Sequence, residues 1–434
     1  MKLPTDILPP FRQTDVLIVG GGIIGAACAY ELSMRGVQVT VIDKGEMGHG
    51  CSYGNAGWMT PCFAMPLPMP GMFFKSVGWL LEPNGPLYIK PAWSLLLLRW
   101  LSRFLFSMNH THLQRSVRAL VEISQYSLEF YKELDLKSNG ALGFTQNGLL
   151  MACQTQKGLN SAIQELELVR NLGVPGKALS PEEARALEPA LTGALKGAVY
   201  FSNEAHAEPL AVVQTLLKAA ADRGALILPH TEVFEWQVES RPLNHGGPRV
   251  HSVRTTRGLI QADRYVLATG SWSEAVGQQL GLSIPVLGGK GYALIVKPLA
   301  KNPKIPLMLV EKKIAVTPRA HSLRLAGTLE LVNRDDVITT KRVDAILKGS
   351  REFLEIPTNP DDLDIREVWR GLRPCTPDGV PVIDRSPRHQ NLFLATGHQM
   401  LGLQSAPGSA RLLADLLLGE SPRFNPIPFR ATRF

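Results

Sequence analysis

Asp15-Val16-Leu17-Ile18-Val19-Gly20-Gly21-Gly22-Ile23-Ile24-Gly25-Ala26-Ala27-Cys28 is an apolar run that stops on glycines and reopens as a second apolar run. That order reads as strand, glycine turn and helix. After a break at Arg35-Gly36, residues Val37 to Ile42 read as a second buried strand, which ends at Asp43. Strand, helix and strand in this order form a βαβ unit, and its crossover requires a parallel sheet, so the fold class is α/β.

Within the turn, Gly20, Gly22 and Gly25 have the G-x-G-x-x-G spacing. The first glycine permits the tight turn, the second lets backbone approach a pyrophosphate, and the third lets helix pack close on sheet. The helix N-terminus then offers N–H donors and its dipole to the phosphates. The dinucleotide is therefore expected at Gly20, Gly22, Ile23, Ile24 and Gly25, with Asp43 and its neighbour Lys44 at the ribose end. FAD and NAD share this fingerprint, so the turn alone does not choose between them.

Further along, Cys51 to Pro91 is dense in Gly and Pro and reads as a long loop. Helical periodicity runs from about Trp93 to Leu134, returns at Ser161 to Leu172, and again at Pro181 to Glu188, where Ser180 and Glu183 are spaced as a capping box. A helix over Pro209 to Arg223 precedes alternating segments at Val233 to Val238, Val250 to Thr256 and Leu259-Ile260, which read as an antiparallel meander. Tyr265 to Gly270 and Asn391 to Gly397 are further buried strands, and a last helix is expected from about Ser409 to Leu418. Strands thus end at Gly20, Gly270 and Gly397, and in an open parallel sheet the ligand crevice lies beyond such carboxyl ends.

The chain has 434 residues, which exceeds one ordinary core, and its 45% apolar and 19% charged residues describe a globular protein of two interlocked domains. Cys28, Cys51, Cys62, Cys153 and Cys375 lack CxxC spacing, so neither a metal site nor a disulfide framework is expected. The prolines at 4, 9 and 10 interrupt any apolar core of a secretory signal, which points to the cytoplasm or the inner face of the cell membrane. The net charge of +8 favours anionic partners, and no aromatic-plus-basic motif for nucleic acid accompanies it.

Cys51-Ser52-Tyr53-Gly54-Asn55-Ala56-Gly57, Trp369-Arg370-Gly371-Leu372-Arg373-Pro374-Cys375-Thr376-Pro377-Asp378-Gly379 and Gly397-His398-Gln399-Met400-Leu401-Gly402-Leu403 join the glycine turn, in the same order, in resembling the D-amino-acid oxidase superfamily. Glycine oxidases and bacterial D-amino-acid dehydrogenases are the most similar branches. The resemblance runs from about Asp15 to Leu418. It implies a Rossmann-like FAD-binding domain, discontinuous over 14–90, 200–285 and 365–434, and an α+β substrate domain with an antiparallel sheet over 91–199 and 286–364.

The same resemblance places Ser52, Asn55, Ala56 and Gly57 along the pyrophosphate and flavin, and brings the backbone of Val233 to the adenine. Gly270 ends a strand at the cofactor, and Gly397, Leu401, Gly402 and Leu403 pass beside the flavin pyrimidine. Gly54 stands where some relatives carry a histidine that tethers the cofactor, so FAD is expected to be non-covalent. Arg373 matches the arginine that holds the substrate carboxylate, and a guanidinium offers two parallel donors for that task. Tyr292 is expected on a strand above the flavin, within reach of the same carboxylate, and His398 in the flavin loop, where it would orient the amine or act on the reduced cofactor. His49 and His206 stay outside this set.

The implied activity is dehydrogenation of a small D-amino acid or imino acid. The loop Gly397 to Pro407 departs from the broad D-alanine-type pattern, which points to a cyclic substrate such as D-hydroxyproline. An oxygen-using oxidase, a flavin subunit of a larger assembly and an NAD enzyme are the rival readings. Between Pro83 and Val121 there is no acidic residue, and WSLLLLRWLSRFLF from Trp93 to Phe106 sets Arg99 and Arg103 on one helical face. Two readings of it stand: an apolar face packed inside the substrate domain, or a helix lying in a membrane interface, as suits an enzyme that delivers electrons to quinone or to an electron-transfer partner.

Overall fold

The computed structural model describes residues 11–70, 87–89, 95–239, 247–332 and 337–434. The elements that build the site are β1 (Phe11–Val19), α1 (Ile23–Met34), β2 (Val39–Ile42), α2 (Leu95–Phe106), α3 (His110–Lys137), β3 (Gly258–Leu267), β4 (Leu287–Val296), β5 (Ser322–Val332), β6 (Ile365–Cys375), β7 (Leu392–Thr396) and α4 (Gly402–Leu418). The sequence reading of the N-terminal decapeptide, of Lys90 and Trp93, and of the domain boundary between 90 and 91 lies outside the described residues, as does much of the Gly/Pro-dense loop.

Among the described residues the first sheet has eight strands. β1 pairs in parallel with β2 on one side and β3 on the other, and β7 pairs in parallel with β3. Val16, Leu17 and Ile18 of β1 are wholly buried, so both faces of the strand are covered and no apolar–polar alternation appears in its sequence. The expected meander is present: Val233–Glu239, Arg249–Thr255 and β3 follow one another antiparallel at one edge. One face of the sheet packs on α1, on Pro209–Ala221 and on α4, with α3 stacked behind α4. Leu17, Val19, Ile42 and Leu267 form the core on the other face.

The second sheet has nine strands among the described residues and is mostly antiparallel, with β4 flanked by β5 and β6. The helix Thr340–Arg351 covers one face and shares with it a core that contains Leu294, Leu325, Ile346 and Phe353. β6 was grouped with the dinucleotide domain in the sequence reading, yet it hydrogen-bonds along its length to β4 in the second sheet. Gly197–Phe201 and Leu87–Ile89 also pair there.

Two helices differ from their sequence expectation. The stretch from Trp93 to Leu134 divides after Phe106, because the Asn109 side chain accepts from His112 N at 2.8 Å and caps a new helix. α4 begins at Gly402 rather than Ser409, with Pro407 inside it. Proline lacks the N–H that would bond to the carbonyl four residues earlier, but here the Tyr131 hydroxyl donates to that carbonyl, Leu403 O, at 2.8 Å.

Candidate active site

The glycine turn is shaped by contact. Gly20 has φ +114°, and a Cβ there would lie 2.4 Å from Ala268 O. A Cβ on Gly25 would lie 1.8 Å from Gly20 O, so the third glycine sets the distance between α1 and the sheet without facing the ligand. Asp43 Oδ2 accepts from Gly21 N at 2.7 Å and Oδ1 from Gly45 N at 2.9 Å. Each oxygen keeps a free lone pair for a hydroxyl donor.

Beyond these residues lies a cavity of about 510 Å³. Gly20, Gly22, Ile23, Ile24, Asp43, Lys44, Ser52, Asn55, Val233, Gly270, Gly397, His398, Gly402 and Leu403 all line it. Gly25, Ala56, Gly57 and Leu401 do not line it. Gly57 N donates to Asn55 Oδ1 at 2.8 Å, and Ala56 O accepts from the Thr317 hydroxyl at 2.8 Å. Cys51, His49, Trp236 and Trp272 also line the cavity and were not chosen from sequence. Trp272 lies two residues past Gly270, and Lys44 Nζ sits 4.3 Å from the centre of its ring, so the aromatic after a strand-ending glycine was the signal available.

The cavity suits a dinucleotide on observations independent of the motif. α1 begins at Gly22 with no side-chain cap and no acidic residue in its first turn, so its positive end is left for an anion. Ser52 Oγ accepts from Ile23 N at 2.9 Å, which leaves its hydroxyl proton available to a phosphate. α4 likewise opens without a side-chain cap or an acid, and its first residues, Gly402 and Leu403, reach the same cavity from the opposite end of the chain. Burial pushes the His398 imidazole down to about 3, and its Nε2 lies 3.1 Å from Ser409 Oγ, so the ring is a neutral fixture of the wall.

The second sheet closes over the loop 51–57. On one face of β4 and β6 lie Gly289 and Gly291 opposite Arg373 and Gly371. The Arg373 guanidinium fills the space of a side chain at 291, where a Cβ would be 2.2 Å from Cζ. Trp369 fills the space of a side chain at both 371 and 54, where a Cβ would be 2.0 and 1.9 Å from its ring. A histidine tether at position 54 is therefore sterically excluded while Trp369 is in place. Arg373 donates to Thr328 O at 2.8 Å, pairs with no carboxylate among the described residues, and has its pKa lowered by burial. The thiol of Cys51, in the cavity wall, lies within its electrostatic reach. Arg373 itself does not line the dinucleotide cavity, whereas its neighbours Leu372 and Pro374 do.

Tyr292 departs from the sequence expectation. It is wholly buried in the core on the other face of β4, where its hydroxyl donates to Glu330 Oε2 at 2.8 Å. Successive strand residues point to opposite faces, and at this position the face shared with Lys290 turns away from Arg373.

A parallel sheet with a glycine-turn cavity at its strand ends, roofed by a second sheet, defines a dinucleotide-dependent oxidoreductase. The chain matches the FAD dependent oxidoreductase family, DAO, over residues 15–416, and belongs to it. It is 30% identical over 431 residues to the D-amino acid dehydrogenase of Neisseria meningitidis serogroup C, which spans 96% of this chain and 99% of that protein. The D-amino acid dehydrogenase of Vibrio atlanticus is 30% identical over 416 residues, 94% of this chain and 96% of its own. Among solved structures, glycine oxidase from Geobacillus kaustophilus superposes with a TM-score of 0.76 at 24% identity, covering 98% of this chain and 99% of that one. The cofactor is FAD, as in the family.

Proposed function

We propose that this protein dehydrogenates a small D-amino acid or a cyclic D-imino acid, with Arg373 as the partner of the substrate carboxylate. The observation that carries the reading is a part-buried guanidinium, without a carboxylate of its own among the described residues, within electrostatic reach of Cys51 in the loop that walls the FAD cavity. Such a charge is costly to bury unless an anion joins it. The 30% identity to D-amino acid dehydrogenases over nearly the whole chain supports the substrate class.

When bound, FAD would supply the acceptor for the α-hydrogen and its electron pair. The chain binds, orients and excludes water. Arg373 fixes the carboxylate by two parallel N–H donors, which sets the rotation of the α-carbon as well as its position. Trp369, packed against Gly54 and Gly371 on the same face as Arg373, would limit the room for water beside it. His398, held neutral by burial, is too weakly basic to take a proton from the substrate amine, so that proton would have to leave to solvent. The uncapped N-terminus of α4 opens on the cavity and would offer N–H donors to negative charge on bound FAD. An open-chain imine product then hydrolyses in water, and a cyclic one is released intact.

We take the electron acceptor to be a quinone or an electron-transfer partner, in keeping with the dehydrogenase relatives. α2 docks Trp100 and Phe104 beside Cys375, and Trp100 Nε1 donates to Cys375 O at 3.1 Å. Its other side leaves Leu98, Leu105 and Phe106 exposed, with Phe106 at 84%. Among the described residues no helix is long and apolar enough to cross a membrane.

The test is anaerobic mixing of the FAD-loaded protein with a panel of D- and L-amino acids, glycine, sarcosine and hydroxyproline stereoisomers. The reading expects the visible flavin band to bleach with one or more D-compounds. No bleaching by any member overturns it.

A further inference from the structure

A second cavity, of about 340 Å³, lies between the end of α2, the start of α3, the loop that carries Asp378 and Val380, and the C-terminal residues Pro428 to Phe434. It is separate from the FAD site and plays no part in the proposed reaction. Arg103, Arg115, Arg433 and His112 line it.

These cations are not equally engaged. Arg433 is saturated: Nε and Nη2 donate to Asp378 at 2.6 and 3.3 Å, and Nη2 also donates to Val380 O at 2.6 Å. His112 Nε2 donates to Asp378 O at 2.7 Å, which anchors the loop beneath the cavity. Arg103 and Arg115 pair with no carboxylate among the described residues; Arg103 meets only the Phe434 ring, at 5.6 Å. Below them α3, a 28-residue helix, starts without an acidic residue in its first turn. Phe106, Val380, Pro428 and Phe434 provide apolar wall.

We propose that this cavity is a binding site for a phosphate group carried on an organic substituent. Two guanidinium forks without carboxylates match the tetrahedral oxygens of a phosphate, and the positive end of α3 adds to their field. The cavity is larger than a bare phosphate needs, and its apolar wall suits the ester-linked group. A lipid headgroup and a soluble phosphoester present the same chemistry. Phe106, exposed at the rim, would meet acyl chains in the first case only.

The experiment uses the full chain loaded with FAD, so that the dinucleotide site is already filled. Inorganic phosphate and glycerol phosphate are titrated by calorimetry, and the protein is sedimented with phosphatidylglycerol or phosphatidylcholine vesicles. The variants are R103Q/R115Q, R115Q alone as a milder form, and R99Q as a control on an exposed arginine of α2 that does not line the cavity. The site predicts saturable binding that R103Q/R115Q weakens about tenfold or more, R115Q weakens less, and R99Q leaves within about twofold. Sedimentation with phosphatidylglycerol alone, lost in R103Q/R115Q, assigns a lipid source. Binding of the small phosphates without such sedimentation assigns a soluble one. Neither binding nor selective sedimentation overturns the proposal, as does binding that R103Q/R115Q leaves unchanged or that R99Q weakens equally.

Discussion

Gly291→Ala probes the placement of Arg373 without touching its charge. The new Cβ would stand 2.2 Å from Cζ and Nη1 and 2.4 Å from Nη2 of Arg373. Non-bonded carbon atoms prefer roughly 3.5–4.0 Å, so the guanidinium must withdraw by more than ~1 Å. A displacement of that size at a positioning group costs about 10²-fold in rate, or about 2.7 kcal/mol of transition-state stabilisation. The expected result is a fall of about two orders of magnitude in kcat/KM, read by rapid anaerobic mixing, with FAD content unchanged because Gly291 does not line the dinucleotide cavity. Combined with Arg373→Lys, the alanine should add little further loss, since both act on one contact. Wild-type kcat/KM in Gly291→Ala would refute the reasoning, because the space at 291 would then have no bearing on substrate.

Arg324→Met should weaken FAD retention about tenfold, measured by fluorescence titration of the apoprotein, because Arg324 Nη1 donates to Tyr53 O at 3.3 Å and to Asn55 O and so holds the loop along the cofactor. Unchanged affinity would remove that role. Glu204 is buried, accepts from Cys62 N at 3.2 Å and has its pKa pushed up by burial from 4.5 to about 8. The folded state therefore holds a proton that the unfolded chain releases, and stability declines as pH rises from 4.5 towards 8. Glu204→Gln, which mimics the protonated form, should melt higher than wild type at pH above 8, with the gap narrowing towards 4.5; a pH-independent gap counts against it. With His398 held down to about 3, kcat/KM should show no inflection from it near neutrality, and one that disappears in His398→Asn would contradict its neutral assignment.

The dinucleotide half was legible because its constraints are local. A buried parallel strand, a turn that admits only glycine beside Ala268, and an acid at the next strand end all lie within Asp15 to Asp43. The meander from Val233 was legible from its apolar residues and turns, although its edge strand buries no residue fully and shifts register twice. What failed was what the chain settles at long range. Tyr292 sits one residue past Gly291, and its face depends on how β4 pairs with β6, which no local pattern states. The turns of α4 before Ser409 were hidden because they contain Pro407, whose compensation comes from Tyr131, far back in the chain. Trp369 over Gly54 was equally hidden, although both segments were singled out: residue type shows that glycine is present, not which side chain needs its room.

The most direct test is a crystal structure of the protein with FAD and an unreactive carboxylate analogue of the substrate. The carboxylate is expected on Arg373 through two contacts of about 2.7–2.9 Å, with the position of the α-carbon ~3–3.5 Å from flavin N5. An analogue bound to other residues, with Arg373 turned from it and still held by Thr328 O, would contradict the assignment.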